Sequence, residues 1–321
     1  MLTNDESIKE LVWYSKIPVI FQFNTEDKIN LPSTPPNLEF EEYYTLVPKN
    51  SYFSLNLFKV VTYIFLNVMN DPDFSWEEIW LEYKGIPLKW HFPVGLLHDL
   101  LTHKDKISNI KKDTWEVVIR YGNYPSDKLY RVAKFTAENP LPDSDYFMSM
   151  IKESNYIRHG NTKKVMNLTK EEHIQLWESL ISHDFKAFWN IQSTLNSYDL
   201  TLNFKESNNN EFPKHIPFRL YYSDSSKTLD YPSVIQELIS PFNSEENEKE
   251  ETNDKLITIG DCVYNILKDI VNIQDMSRDL DTFDIIIQSI SVPLNTPLIW
   301  LYLHLMYPDS FLHIVVTDKK S

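Results

Sequence analysis

One cysteine, nine histidines and 46 acidic residues are the side chains from which this 321-residue chain could build a reactive centre, and their spacing builds none. His98 and His103 stand five positions apart, so they do not share a helix face as metal ligands four apart would. No cysteine or cluster of carboxylates completes a ligand set beside them. His313 falls in an alternating strand and His304 in a helical run, where a structural role is the ordinary one. The paired acids Glu77-Glu78 and Glu171-Glu172 flank elements and read as solvent faces. Cys262 lies in Ile259 to Ile266, which reads as a helix start packed on a sheet, so its thiol is expected to be buried packing and not a nucleophile. The five glycines, Gly85, Gly95, Gly122, Gly160 and Gly260, are too scattered for a dinucleotide fingerprint, a phosphate-cradling loop or a nucleophile elbow. An enzyme working through Cys262 or a histidine is the weakest reading, and no metal or cofactor is expected.

The elements that would position any site are repeated. Ile79 to Gly85 reads as a strand, followed by Ile86-Pro87-Leu88-Lys89-Trp90, an apolar run from Val94 to Leu101 and the alternating strand Trp115 to Tyr121. Phe283 to Ile290 is followed in the same way by Thr296-Pro297-Leu298-Ile299-Trp300, Leu301 to Met306 and Phe311 to Val316. Upstream, Ile17-Pro18 and Ile216-Pro217 each open a Pro-started alternating strand, with a second strand and a long helical segment after it. Aligning Pro87 with Pro297 gives the two copies unequal lengths, and the acidic insert Ser244 to Asp254 is expected to absorb the difference. Duplication is the economical explanation. A strand pair, a crossing helix and two further strands separated by a short helix is the order of a β-grasp, the ubiquitin-like fold, at about 100 residues per unit.

Between the copies the pattern turns helical. Asp143-Ser144-Asp145 can cap a helix that places Phe147, Met150, Ile151 and Ser154 on one face. Thr169-Lys-Glu-Glu172 is a capping box opening a helix with Ile174, Leu176, Trp177, Leu180 and Ile181, and a third run holds Phe185, Phe188, Trp189, Ile191 and Leu195. A short amino-terminal helix is capped by Thr3 to Glu6 and striped by Ile8, Leu11 and Val12, a stripe expected to pack on the second β-grasp or on a groove between the two. The expected class is therefore α+β: two ubiquitin-like β-grasp domains flanking a helix-rich domain, with a short amino-terminal helix. The expected divisions are 1–15 for that helix, 16–135 for the first ubiquitin-like domain, 143–200 for the helix-rich domain, 201–211 for a linker and 212–321 for the second ubiquitin-like domain.

Hydrophobic residues make up 42% of the chain, enough to fill cores in two or three domains of this size. A single cysteine forbids an internal disulfide and points to a reducing, cytoplasmic setting. No signal peptide precedes Asn4, and no apolar run approaches the ~20 residues of a membrane span. The net charge of −15 opposes general binding to nucleic acid or anionic lipid, so no nucleic-acid partner is expected and any membrane contact must be local. One basic island, Arg158, His159, Lys163, Lys164 and Lys170 around Gly160, stands against that charge.

Five motifs carry a resemblance to a known family. Glu78 to Leu101, Tyr146 to Glu153, Gln175 to Trp177, His215 to Tyr221, and Thr296 to Trp300 with Tyr307 to Ile314 follow, in order and from end to end, the pattern of the autophagy protein 5 family, in its fungal form. That family is built as an amino-terminal helix, a ubiquitin-like domain, a helix-rich domain and a second ubiquitin-like domain, the same architecture read above from repeats and caps. Its members are not enzymes by themselves. They resemble a platform on which a lysine accepts the carboxyl-terminal glycine of the ubiquitin-like autophagy protein 12, and a groove accepts a helix of autophagy protein 16. The complex, charged by E1-like and E2-like conjugating enzymes, then acts like an E3 in attaching autophagy protein 8 to phosphatidylethanolamine. A cytoplasmic protein held peripherally on the preautophagosomal membrane is implied.

The resemblance puts the acceptor on Lys152, within Phe147-Met-Ser-Met-Ile-Lys-Glu153. At ~100° per residue, Lys152 lies about 140° around the helix from Phe147, so its amine should project away from the apolar face. A lysine amine must lose its proton to attack a thioester carbonyl, and with an ordinary pKa of ~10.4 the charging enzyme has to supply that activation. Lys49 matches a position where relatives carry an arginine that contacts the partner helix; lysine keeps the charge and loses the two-pronged fork. Lys163 aligns with a lysine implicated in membrane contact, and Lys164 stands beside it. Without the resemblance these four are ordinary solvated lysines, and a non-covalent adaptor built from ubiquitin-like modules stays open as the alternative function.

Overall fold

A computed structural model describes residues 5–24, 26–27, 42–68, 74–107, 114–130, 144–196, 212–223, 231–243, 255–271 and 280–319. The expected linker 201–211, the acidic insert 244–254, the capping residues Thr3, Asn4 and Asp143, and the expected end of the first domain at 135 lie outside them. The chain divides into two units, one formed by residues 14–147 and the other by residues 1–13 with 148–321.

The helix α1 (Glu6–Trp13) precedes the first of these units. Within residues 14–147, β1 (Lys16–Phe23) pairs antiparallel with β2 (Tyr43–Pro48), with Lys16 opposite Pro48 and Phe21 opposite Tyr43. Next come α2 (Phe53–Thr62), continued by a wider π turn at Tyr63–Val68, then β3 (Ile79–Tyr83), β4 (Ile86–Pro87), α3 (Val94–Ile107) and β5 (Trp115–Tyr121). The strand order is β2-β1-β5-β3-β4, with β5 parallel to β1 at the centre. Alternation sets the core: Ile17, Val19, Phe21 and Phe23 point inward with Val117 and Ile119, against Phe53, Leu57, Val60 and Val61 of the helix. Phe21 and Phe53 meet edge to face at 6.0 Å.

The other unit contains α4 (Ser144–His159), most of which follows the division at 147, then α5 (Lys163–Met166), α6 (Lys170–Ser182), α7 (Phe185–Leu195), β6 (Phe218–Ser223), β7 (Ser233–Ile235), β8 (Phe242–Asn243) and β9 (Lys255–Leu256). It ends with α8 (Ile259–Val271), β10 (Phe283–Ile287), β11 (Ile290–Ser291), α9 (Leu298–Leu305) and β12 (Leu312–Asp318). Its sheet order, β11-β10-β12-β6-β7, matches the first sheet strand for strand, again with the last strand parallel to the first. Two β-grasp sheets are present, as the duplication implied.

The register of the repeat differs from the one that aligned prolines suggest. Leu88 donates its N–H to the Leu81 carbonyl (2.8 Å) as Val292 does to Ile285 (2.9 Å), so Pro87 corresponds to Ser291 and not to Pro297. Pro297 instead caps α9, which carries Trp300 inside the helix, whereas Trp90 precedes α3. The common feature is the β3–β4 and β10–β11 hairpin: Lys84-Gly85 and Gln288-Ser289 all adopt positive φ, the geometry of a tight two-residue turn. Glycine meets that demand at only one of the four positions.

Two expected apolar stripes are narrower than read. Leu11 of α1 is 75% exposed, and the helix is anchored by Trp13, whose ring stacks on His183 at 5.0 Å and lies 4.7 Å from Phe188 while its Nε1–H donates to the His183 carbonyl. Val12 packs against the second β-grasp core, and the Asp5 N–H donates to His304 Nε2 (3.0 Å), so α1 does dock on that β-grasp. In α6, Leu176 and Leu180 are buried, but Ile174 and Ile181 are exposed. The capping box is as read: Thr169 accepts from the Glu172 N–H and Glu172 accepts from the Thr169 N–H.

Candidate conjugation site on α4

Helix α4 sets its residues on two sides. Phe147, Met150, Ile151, Ser154, Ile157 and Arg158 are buried, while Asp145, Ser149, Lys152 and Tyr156 recur at spacings of four, three and four and are exposed. Lys152 therefore stands on the solvent stripe beside Tyr156, which is 60% exposed. Asp145 in the first turn complements the helix dipole. The neighbouring carboxylate is committed elsewhere: Glu153 accepts from Arg219 Nη2 (3.1 Å) and from Gln236 Nε2 (3.0 Å), tying α4 to β6 and to the segment after β7. Arg219 also lies over the Phe311 ring at 4.4 Å. This brace joins residues 66 and 83 positions apart, and nothing local in the sequence signals it.

The basic island is smaller than it reads in the sequence. Arg158 is fully buried, with Nε donating to the Ser154 carbonyl at 3.3 Å, so it takes no part in a surface patch. His159 is half-buried and pushed down to about 4, by burial first and then by the charges of Lys164 and Arg158, with Lys214 adding to them. Lys164 is also half-buried, and its pKa is lowered by burial and by Arg158. Lys163 and Lys170 are exposed. Lys49 belongs to the unit 14–147; its N–H donates to the Ser15 carbonyl and its carbonyl accepts from Gly95, both at 3.0 Å. Just ahead of it on β2, Tyr44 and Leu46 are about 60% exposed, apolar outward positions that β alternation contained and the sequence reading passed over.

Histidine does assemble one constellation. His313 bridges Asp309 Oδ2 (2.8 Å) and the Tyr221 hydroxyl (2.9 Å), a Tyr-His-Asp line from residues 92 and four positions away. All three are almost wholly buried, which makes the line part of the core rather than a place where substrate could meet a base. His304 is structural too, with Nδ1 against the Trp300 carbonyl (2.8 Å). His98 packs on Trp115 at 5.4 Å. Among the described residues no group of His, Cys, Asp and Glu could hold a metal ion, and no helix is long and apolar enough to cross a membrane. Cys262 is buried, and burial, followed by the nearby Glu237 and Asp261 charges, raises its thiol pKa well above the usual range.

Three family models match the chain in succession: the autophagy protein ATG5 UblA domain over residues 12–121, its alpha-helical bundle region over 144–197 and its UblB domain over 215–316. The chain belongs to the autophagy protein 5 family. Autophagy protein 5 of Dictyostelium discoideum is 24% identical to it, covering 100% of this chain and 97% of that one. Autophagy protein 5 of Drosophila melanogaster is 26% identical over 99% of each, and that of Arabidopsis thaliana is 26% identical over 98% of each. The crystal structure of Kluyveromyces marxianus Atg5 superposes with a TM-score of 0.69 at 20% identity, covering 97% of this chain and 99% of that one, and shares its fold. Membership in the autophagy protein 5 family gives the chain a role in autophagy and partners within that pathway.

Proposed function

We propose that the chain is the acceptor platform of an autophagy conjugation system, with Lys152 as the acceptor. The neutral Nζ of Lys152 attacks the thioester carbonyl that links the carboxyl-terminal glycine of autophagy protein 12 to its charging enzyme. The C–N bond forms, the C–S bond breaks, the enzyme's thiolate leaves and the amine sheds a proton, so the product is an isopeptide. The observation that carries this reading is the exposure of Lys152 on a helix whose opposite side is fully packed and whose Glu153 is braced by Arg219 and Gln236. A reacting amine gains from such a rigid base, because orientation is most of what the chain itself can contribute. The rest of the proposal follows the family: a helix of autophagy protein 16 held in a groove near Lys49, an E3-like action of the conjugate in lipidation of autophagy protein 8, and peripheral contact of Lys163 and Lys164 with the preautophagosomal membrane from a cytoplasmic pool.

The test is the covalent adduct itself, read as a shifted band in cell extract or in a reaction with the purified conjugating enzymes. Lys152→Arg keeps the charge and the helix, so it should abolish the adduct while changing stability by no more than ~0.5 kcal/mol. An adduct that persists in this variant removes Lys152 from the role. A wild-type chain that binds the partner helix without ever forming a shifted species supports the non-covalent adaptor instead.

A further inference from the structure

The unit 14–147 holds a pocket that conjugation at Lys152 does not use. It is small, a cavity of about 20 Å³ that suits one water-sized group such as an ammonium, set between α2, the residues leading into β3, and the turns after β4 and β5. Three of its walls are aromatic: Trp76, Trp90 and Tyr124. These rings are fixed in place, since Trp90 Nε1–H donates to the Tyr124 hydroxyl (3.0 Å), which donates in turn to the Tyr130 carbonyl (2.8 Å). Phe58 backs Trp76, its ring stacked at 5.7 Å with the planes 1° apart. Glu77 brings a carboxylate to the same space, and Leu57 and Ile79 an aliphatic wall. Ser54 also lines it; this side chain is 2% exposed, and its hydroxyl has no hydrogen-bond partner among the described residues. A buried hydroxyl left unpaired is costly, and a ligand that reaches it removes the cost.

We propose that this pocket takes the ammonium of a lysine side chain presented by a partner protein. Aromatic faces attract a cation through their negative π-clouds, and a desolvated setting strengthens the attraction. The Glu77 carboxylate supplies the opposite charge, and the Ser54 oxygen can accept one N–H. The net charge of −15 steers basic segments toward the chain. A choline headgroup offers a similar cation, but it carries a phosphate that both Glu77 and the overall charge repel. That difference assigns the site to a protein lysine and not to a lipid.

The full-length protein can be titrated while the indole N–H signals of Trp76 and Trp90 are followed by NMR, with n-butylammonium standing for the lysine side chain, n-butanol as its uncharged counterpart and phosphocholine as the headgroup. Saturable movement of both signals with n-butylammonium alone is expected, with affinity about five-fold weaker in Glu77→Gln. A thermal melt of that near-isosteric variant, matching wild type, establishes that the fold is kept. Equal midpoints for n-butanol and n-butylammonium would make the pocket merely apolar and overturn the proposal. So would tighter binding of phosphocholine, unchanged affinity in Glu77→Gln, or the absence of any saturable movement. None of these outcomes depends on Lys152 or on the adduct.

Discussion

At the scale of single residues, the helix that carries Lys152 also carries a pH liability at its end. His159 sits half-buried between Lys164, Arg158 and Lys214, with a pKa pushed from an ordinary 6.5 to about 4. The folded chain therefore holds this imidazole neutral in a range where the unfolded chain protonates it. Stability from this residue is complete above pH 6.5 and is lost as pH falls toward 4. Because the group is partly screened by solvent, the loss should amount to roughly 1–2 kcal/mol rather than the full linkage value. His159→Gln removes the titration and should flatten the fall in urea midpoint between about pH 7 and pH 5, a window above most carboxylate titration. An unchanged slope in the variant would mean that other groups carry the acid sensitivity. The neighbouring Arg158 shows why the basic island misleads in the sequence: a guanidinium can lie wholly inside a helix bundle, and burial of that kind depends on packing that no local pattern encodes.

At the scale of elements, signals that act within one helical turn were the ones legible in advance. The Thr169–Glu172 capping box is such a signal, and Thr169→Ala should cost ~1 kcal/mol of stability, measured by denaturant unfolding, with most of the loss in α6. A loss near zero would mean that packing of Leu176 and Leu180, and not the cap, sets the start of that helix. The twin β-grasp sheets were equally legible, because strand alternation and the order of elements recur twice. What the sequence did not reveal depends on distant partners. Trp13 and not Leu11 anchors α1, because His183 and Phe188 are what the helix meets. The Pro87 to Pro297 alignment failed because a Pro-Leu-x-Trp string can end a hairpin in one copy and begin a helix in the other. Of the candidate site, the outward projection of Lys152 followed from helix geometry alone. Its brace through Glu153, Arg219 and Gln236, and the aromatic pocket around Ser54, required the tertiary fold.

At the scale of the whole molecule, each unit closes its own core: Phe21, Phe53 and Val117 in residues 14–147, and Leu220, Cys262, Leu267 and Ile314 in the other. Cys262 gives a direct readout of opening in the second of these. Disulfide exchange needs a thiolate, and burial of this α8 residue in the second core both hides its sulfur and raises its pKa, so an aromatic disulfide reagent should not label the folded protein. Labelling then reports the fraction of molecules in which that core is open. Leu267→Ala leaves a cavity in the core that holds Cys262 and, at ~2–5 kcal/mol, should speed labelling by about 30-fold or more. Phe53→Ala does comparable damage to the core of residues 14–147, yet should change the Cys262 rate by less than about three-fold if the two cores open separately. Equal acceleration by both substitutions would instead require one cooperative unfolding unit, in which strain at the first ubiquitin-like sheet is felt at α8.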